Sequence, residues 1–164
     1  MNQPGNIHIR PVNETDAVFL NTLMNDPSVL QALNEAPSGL SDWTGAIREW
    51  LDDKDEEDLI VVYGSTSIGW LGVNGLLNED KKAYLKMAAL LPDYQGLGLG
   101  ARAIRELMCS LKHRGIAKLA LYTDRDNLKA QACYQRCGFE VKESLTETVS
   151  NGKTIPRFLM EACL

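Results

Sequence analysis

The sequence predicts a single α+β domain over residues 1–164, and three observations support this fold class. The length suits one domain with a substantial core, and 45% hydrophobic with 24% charged residues is ordinary for a soluble globular protein. Strand-like and helix-like patterns follow one another in the order β-α-α-β-β-β-α-β-α-β-β. No internal repeat or low-complexity linker divides the chain, so one shared core is the simplest organisation.

The first part of the chain predicts one strand and two helices. The run NIHIRPV alternates apolar and polar residues, as a half-buried strand does. A helix is expected to begin at residues 15–16 and to end at residues 26–27, where Asp precedes Pro. A second helix is expected in LSDWTGAIREWLDD, with an apolar face made of Trp43, Ile47, Trp50 and Leu51. The acid-rich residues 52–58 are expected to form a solvated break.

Three strands and a helix are predicted in the middle of the chain. LIVVYG and SIGWLGVNGLL have the composition of two strands of a hairpin, and KAYLKMAALL predicts a third strand. After a glycine-rich turn, apolar residues recur with the spacing of a helix that buries one face. These residues are Ala101, Ile104, Leu107, Met108 and Leu111.

The last part of the chain predicts a strand, a short helix and a hairpin. IAKLALYT is typical of a buried strand, and the helix is expected from Asn127 to Cys137, with Gly138 as its C-cap. The final segment, EVKESLTETVSNGKTIPRFLMEACL, predicts two strands around Asn151-Gly152, a dipeptide that favours tight hairpin turns.

Composition limits the location of the protein and the metals that it could bind. No apolar run approaches the ~20 residues of a membrane span, and MNQPGNIHIRP lacks the basic and apolar regions of a signal peptide. We therefore expect a cytoplasmic protein with no membrane partner. The four cysteines show no C-x-x-C spacing, and only His8 and His113 could join them as soft ligands. We expect reduced, mostly buried cysteines and no metal.

The charge distribution is uneven along the chain. The net charge of -5 and the pI near 5.1 argue against a nucleic-acid partner, which usually requires a basic surplus. Residues 1–94 hold 6 Lys and Arg against 15 Asp and Glu, whereas residues 95–164 hold 11 against 7. The two halves therefore suit partners of opposite sign, unless the charges only solvate the surface.

A glycine-rich turn is the strongest local signal of function. Residues 95–100 read Gln-Gly-Leu-Gly-Leu-Gly and lead from a strand into the amphipathic helix. Such a turn presents several backbone N–H groups beside the positive end of a helix dipole, and this arrangement suits a pyrophosphate. The spacing does not match a P-loop or the G-x-G-x-x-G dinucleotide fingerprint, so neither a kinase nor a dehydrogenase is indicated. The alternative is a glycine turn that only permits tight packing.

Two motifs together resemble a known enzyme family. They are Gln95-x-x-Gly98-x-Gly100 and, some thirty residues on, Asn127-x-x-Ala130-x-x-x-Tyr134-x-x-x-Gly138-Phe139. The chain thereby resembles the GNAT superfamily of acetyl-CoA-dependent N-acyltransferases, and the resemblance extends over nearly its whole length. The stretches NDPSVLQALNEAP and NGKTIPRFLM look like the ribosomal-protein and spermidine acetyltransferase branch. The implied fold is a mixed, mostly antiparallel sheet of about seven strands with about four helices.

The resemblance implies a role for each matching position. The N–H groups of residues 96–101 hold the pyrophosphate of acetyl-CoA, residues 88–90 pair with the pantetheine amides, and the region of residue 90 polarises the thioester carbonyl. The residue at 127 binds the cofactor from the second helix, and the one at 134 lies near the thioester sulfur. The implied cofactor-binding residues are Ala88, Ala89, Leu90, Gln95, Gly96, Leu97, Gly98, Leu99, Gly100, Ala101, Asn127 and Tyr134.

Tyr134 is the one residue to which the resemblance gives a catalytic role. A phenol with a pKa near 10 stays protonated at neutral pH, so it can protonate the departing CoA thiolate. The alternative is a core tyrosine with a satisfied hydroxyl, since Tyr134 lies on an apolar helical stripe with Cys133. We interpret Cys133 as a packing residue, because no His partner stands at a suggestive spacing.

No general base stands out in the sequence. Many relatives place a Glu on a central strand, but AYLKMAALL contains no carboxylate, and Tyr122 stands where some relatives carry Glu. By topology, the nearest candidates are Glu35, Glu79 and Asp80, with water as the remaining choice.

The sequence thus predicts an enzyme that transfers an acetyl group directly from acetyl-CoA to a primary amine. The expected acceptor is a small cationic amine or a peptide N-terminus, with the N-terminal helices, residues 34–40 and the Asn151 hairpin beside its approach. A non-catalytic acyl-CoA sensor is the alternative, and a phosphate-cradle nucleotide enzyme is a third class. The oligomeric state, including a homodimer, is left open.

Overall fold

Seven strands form one sheet in this computed structural model, which describes residues 5–149 and 152–164. The strand order is β1-β2-β3-β4-β5-β7-β6, and every neighbouring pair is antiparallel except β4 and β5. The mixed, mostly antiparallel sheet expected from the sequence is therefore confirmed. The strands are β1 Ile7–Pro11, β2 Glu57–Tyr63, β3 Thr66–Asn74, β4 Lys82–Leu90, β5 Lys118–Asp124, β6 Glu140–Thr148 and β7 Thr154–Cys163.

The described residues contain five α-helices, one more than the sequence predicts. They are α1 Ala17–Leu23, α2 Pro27–Leu33, α3 Leu40–Asp52, α4 Leu99–His113 and α5 Leu128–Arg136. The additional helix is α2, because the dipeptide at residues 26–27 starts a helix as well as following one. The Asp26 carboxylate accepts hydrogen bonds from the N–H groups of Ser28 and Val29, and Pro27 occupies the first turn.

The helices cover both faces of the sheet. Alternate residues of β2 point to opposite faces, so Val61 packs in the cluster with α4, and Ile60 packs in the cluster with α1, α2 and α3. The predicted stripe of α4 is buried at Ala101, Ile104, Leu107 and Leu111, and Met108 is partly buried. On α3, Ile47 is fully buried, but Leu51 is 54% exposed, so the expectation that it belongs to the apolar face is wrong.

Of the acid-rich residues 52–58, residues 53–56 form the predicted break between α3 and β2, whereas residues 57–58 belong to the sheet. The Asp55 carboxylate accepts hydrogen bonds from the N–H groups of Gly75 and Leu77, and so holds the turn before β4. Strand β2 begins at Glu57, and Asp58 is only 3% exposed. Sheet pairing and backbone hydrogen bonds therefore outweigh the solvation of these carboxylates.

The final hairpin is formed by β6 and β7, as the sequence predicts. The tight turn expected at Asn151 cannot be assessed, because Asn151 lies outside the described residues. Before the hairpin, Gly138 has a φ of 92°, which suits a glycine just after the end of α5.

A cleft opens where the two parallel strands of the sheet separate. Strand β4 pairs with β5 only over Lys82–Tyr84, whereas β5 continues beside β7 as far as Asp124. The rings of Tyr84 and Tyr122 stack at this point, with centroids 6.4 Å apart and planes 8° apart. Beyond it, the second half of β4 has no strand on its β5 side, and this gap positions the candidate site.

Candidate active site

The second half of β4 presents backbone hydrogen-bonding groups to the cleft. The N–H of Leu91 donates to the C=O of Ile68 on the β3 side. Because alternate residues of an antiparallel strand face the partner strand, Ala89 faces β3, whereas Ala88 and Leu90 direct their N–H and C=O groups toward the cleft. Of the three expected pantetheine contacts, the structure therefore leaves the backbone groups of Ala88 and the N–H of Leu90 facing the cleft and occupies Ala89. The C=O of Leu90 accepts from the Gln95 side chain.

The turn between β4 and α4 carries six consecutive N–H groups, those of residues 96–101, with no hydrogen-bond acceptor among the described residues. Gly96 and Gly98 have φ values of 75° and 76°, a conformation that residues with side chains rarely adopt. The Gln95 side chain fixes the turn by donating from Nε2 to the C=O of Leu90 at 2.9 Å. These N–H groups and the α4 dipole together form a site for an anion.

Helix α5 brings Asn127 and Tyr134 to the same side of the sheet. Asn127 caps the helix, since its Oδ1 accepts from the N–H of Ala130 at 3.2 Å. This bond uses the carbonyl oxygen and leaves the Nδ2 group as a donor for a ligand. Two turns later, Tyr134 lies against Phe139 with ring centroids 5.9 Å apart.

The Tyr134 side chain lines a cavity of about 230 Å³ in the cleft. Burial raises the pKa of its hydroxyl above the usual value, so the group stays protonated at neutral pH. The cavity is also lined by Ala88, Tyr122 and Glu35. The cavity thus brings together Tyr134, which is the expected acid, Ala88 of the strand that faces the cleft, and Glu35, which is one of the candidate bases.

The other two candidate bases lie elsewhere. The Asp80 Oδ1 accepts from the N–H of Lys82 at the beginning of β4, before the strands separate. Neither Glu79 nor Asp80 lines the cavity. Only Glu35, which follows α2, reaches it, because the additional helix brings the chain across the open end of the sheet.

Three charged residues of the cavity wall were missed in the sequence analysis: Lys86, Glu147 and Arg157. Arg157 holds the hairpin strands in place through Glu147 at 3.0 Å and Asp124 at 3.2 Å. No local pattern marks these residues, because their place in the wall depends on how the hairpin folds over the sheet.

Lys86 is the extra residue of a β-bulge in β4. Gly72 pairs with Met87 and Val73 with Leu85, so Lys86 has no partner residue in β3. Its ammonium contacts Glu56 and lies 3.3 Å from Asp58 Oδ1. Burial lowers the pKa of Lys86 to about 8.

Asp58 lies beneath this ammonium and also accepts from the indole N–H of Trp70 at 2.8 Å. Burial raises the pKa of Asp58 to about 7, and the hydrogen bond from Trp70 opposes this rise. A buried carboxyl and a partly exposed ammonium thus form one ion pair on this face of the sheet.

Cys133 is not suited to carry an acyl group. A hydrogen bond with Cys137 and burial both raise the pKa of Cys133, so its thiolate form is disfavoured. Among the described residues, no three His, Cys, Asp or Glu side chains form a group that could hold a metal ion. No helix in the part of the chain that the structure describes is long and apolar enough to cross a membrane.

Comparisons with known proteins agree with this architecture. The family model described as acetyltransferase (GNAT) family matches residues 24–139. The spermidine N(1)-acetyltransferase of Escherichia coli strain K12 is 25% identical over 150 residues, which are 90% of this chain and 80% of that protein.

Two solved structures share the fold. The spermidine N-acetyltransferase from Vibrio cholerae in complex with CoA and spermine has a TM-score of 0.86 at 20% identity, covering 96% of this chain and 95% of the other. The aminoglycoside acetyltransferase AAC(6')-Ib in complex with coenzyme A has a TM-score of 0.80 at 19% identity, with 96% and 95% covered.

Proposed function

The chain belongs to the acetyltransferase (GNAT) family, and from this premise we propose that it acetylates the primary amine of a small cationic acceptor in the cleft beside Tyr134. The expected enzyme class, an acetyl-CoA-dependent N-acetyltransferase, follows from the family. The location of the site and the nature of the acceptor are our proposals. A cytoplasmic location is also proposed, in keeping with four free cysteines.

One observation carries the assignment of the site. Six N–H groups that have no acceptor in the described part of the chain follow strand β4, whose Ala88 lines a cavity together with a protonated tyrosine. In our proposal, the N–H groups of residues 96–101 bind the pyrophosphate of acetyl-CoA. Ala88 and Leu90 hydrogen-bond to the pantetheine amides, as an added strand would. The Nδ2 group of Asn127 donates a further hydrogen bond to the cofactor.

The chemistry is a direct transfer. The neutral amine attacks the thioester carbonyl, a C–N bond forms, and the C–S bond breaks. Tyr134 gives its proton to the departing thiolate, and the phenol is re-protonated from solvent. The cationic amine must lose one proton before it attacks, and Glu35 is proposed to accept it directly or through water, because it is the candidate base that lines the cavity. The nitrogen releases a second proton to water as the C–S bond breaks.

Replacing Glu35 with Gln tests its role. The variant removes the proton acceptor but keeps the size of the side chain, so kcat/KM for the amine should fall by ~10²-fold or more. Acetyl-CoA affinity, measured by calorimetry, should change little. Glu79→Gln is the matched control, since Glu79 does not line the cavity. Equal losses in the two variants would remove Glu35 from the mechanism.

The proposed function itself is tested by CoA thiol release with a panel of acceptors. Primary amines of several classes, including polyamines, aminoglycosides, amino acids and short peptides, are compared with tertiary amines and alcohols. We expect release that depends on a primary amine. Binding of acetyl-CoA without release by any acceptor would instead support a non-catalytic acyl-CoA sensor, and tighter binding of ATP or NAD would support a nucleotide enzyme.

A further inference from the structure

A second cavity of about 420 Å³ adjoins the one that contains Tyr134. Glu35, Lys86 and Met87 line both cavities, so a ligand in the first can extend into the second. This second cavity lies between α3 and the face of the sheet that carries Trp70. Nothing in the proposed transfer chemistry uses it.

The walls of the second cavity are largely aromatic and apolar. Trp43 and Trp50 of α3 and Trp70 of β3 line it, together with Met24, Ala46 and Met87. The three indoles contact one another, with ring centroids 6.4, 5.6 and 5.1 Å apart. Trp43 and Trp50 are only half-buried, so part of each ring is open to a ligand. An apolar cavity of about 150 Å³ holds benzene, so this one has room for an aromatic ring and its linker.

The cation site that indole faces normally provide is already occupied by the protein. The Lys86 Nζ lies 4.7 Å from the ring centroid of Trp50 and 5.9 Å from that of Trp70. Gly72 makes this possible, because a Cβ there would come within 2.7 Å of both Asp58 and Lys86. A second ammonium group from the acceptor would therefore be repelled by the Lys86 ammonium, whereas an uncharged ring would not be.

Three carboxylates beside the cavity already have partners in the protein. The Asp42 carboxylate accepts from the N–H of Gly39 and caps α3. Asp58 and Glu56 contact the Lys86 ammonium. Glu35 lies at the junction of the two cavities, where it can face the single reacting amine.

We propose that the second cavity binds an uncharged aromatic or branched apolar group of the acceptor, while the reacting amine lies beside Glu35 in the first. The acceptor class is then the aralkyl monoamines, including a peptide N-terminus with a bulky apolar first side chain, rather than the polyamines. This inference rests on the proposed function, since it describes the acceptor of the same site.

The test compares kcat/KM for phenethylamine, ethylamine and putrescine. We expect the wild-type protein to prefer phenethylamine over the other two by ~10-fold to ~100-fold, the range that apolar pocket contacts provide. Putrescine equal to or better than phenethylamine would overturn the inference. Equal kcat/KM values for ethylamine and phenethylamine would also overturn the inference, but they would still support the proposed function. No acetylation of any amine would overturn both.

A variant and its matched control test whether the preference for phenethylamine depends on the second cavity. Ala46→Phe fills it from α3, and the ratio of kcat/KM for phenethylamine to that for ethylamine should fall ~10-fold or more, mainly through KM. Gly45→Phe is the matched control, because Gly45 is exposed on the same helix and a Cβ there meets nothing within 4 Å, so its ratio should stay at the wild-type value.

Trp43→Leu provides an independent test if Ala46→Phe does not fold, as judged by thermal unfolding. It removes one indole wall, so the same ratio should fall. An unchanged ratio in a folded Ala46→Phe or Trp43→Leu protein would contradict the assignment.

Discussion

Tyr134 is proposed to serve two purposes, as a packing residue and as the acid. Its ring packs against Phe139 and belongs to the core beneath the cleft, while its hydroxyl group stays protonated because burial raises its pKa. The ring thus positions the acid, and removing the hydroxyl separates the two roles.

Replacing Tyr134 with Phe should lower turnover by ~10²-fold or more, since the proton donor is lost and the ring is kept. Acetyl-CoA affinity and thermal stability should change little. Steady-state kinetics, with calorimetry for the affinity, check this result. Wild-type turnover in the variant would mean that Tyr134 is a core tyrosine only.

Asp58 makes stability depend on pH in a way that can be measured. Burial raises its pKa to about 7, against about 3.9 in an unfolded chain. The stability that this carboxyl contributes is therefore fully present below pH ~4 and is lost as pH rises through ~7. Asp58→Asn lacks the titrating group but keeps an oxygen for the Trp70 indole N–H.

The free energy of unfolding of the wild-type protein should fall relative to that of Asp58→Asn between pH ~4 and pH ~7 and then level off. Urea unfolding at several pH values measures this difference, and all other titrating groups are common to both proteins. No fall over this interval, with a rise below pH ~4 instead, would show that Asp58 ionises below its usual pKa, as a partner of the Lys86 ammonium.

At the scale of an element, the beginning of α4 combines a backbone requirement with a binding role. Gly98 is the N-cap residue and has a φ of 76°, although a Cβ there would meet no atom within 4 Å. Gly64, in the turn between β2 and β3, has a φ of 64° and the same open surroundings. The two glycines therefore carry the same backbone penalty when replaced.

Gly98→Val and Gly64→Val should both lose ~1–3 kcal/mol of stability from the strained backbone. Only Gly98→Val should weaken acetyl-CoA binding, by ~10-fold or more, because its side chain stands among the N–H groups that we propose as the pyrophosphate site. Calorimetric titration checks the difference. An unchanged affinity in Gly98→Val would rule out the pyrophosphate site.

The elements also show what the sequence could predict. Periodicity identified β1 and the buried stripe of α4, because those patterns follow from burial of one face. The other strands followed from their residue composition and from turn signals. Periodicity missed α2, since an Asp-Pro pair ends one helix and caps the next with the same residues. The bulge at Lys86 and the burial of Asp58 depend on pairing with β3, which no local pattern records.

At the scale of the whole molecule, the acidic half and the basic half of the chain meet in the sheet. Part of the charge difference is balanced by contacts between the halves, such as Glu57 with Arg114 at 2.7 Å. The remaining carboxylates leave the N-terminal half with a negative surplus. A cationic amine should therefore be attracted toward this half.

Such attraction should weaken with salt, because exposed charges are screened beyond ~10 Å at 0.1 M ionic strength. The value of kcat/KM for a cationic amine should fall as ionic strength rises from low to moderate. The control is an uncharged solute that raises the viscosity of the solution, and it should not reproduce the effect of salt on kcat/KM. A value that does not respond to salt would leave the charge distribution with no role in substrate choice.

The two motifs that carry the family resemblance indicated the side of the site that we propose for the cofactor, whereas the proposed acceptor side could not be predicted in the same detail. The cofactor side is built from a turn and a helix N-terminus, which are local structures with sequence signals. The acceptor side is assembled from Glu35, Lys86 and Arg157, which come from three distant segments. Only the folded chain brings those side chains together.

The most direct test of direct transfer to an amine is to quantify both products of one reaction. With acetyl-CoA and a primary amine present together, free CoA and the N-acetylated amine should form in equal amounts, and neither should form when the amine is omitted. Acetyl-CoA that binds but yields no acetylated amine, or CoA released without a matching amount of that product, would contradict the account.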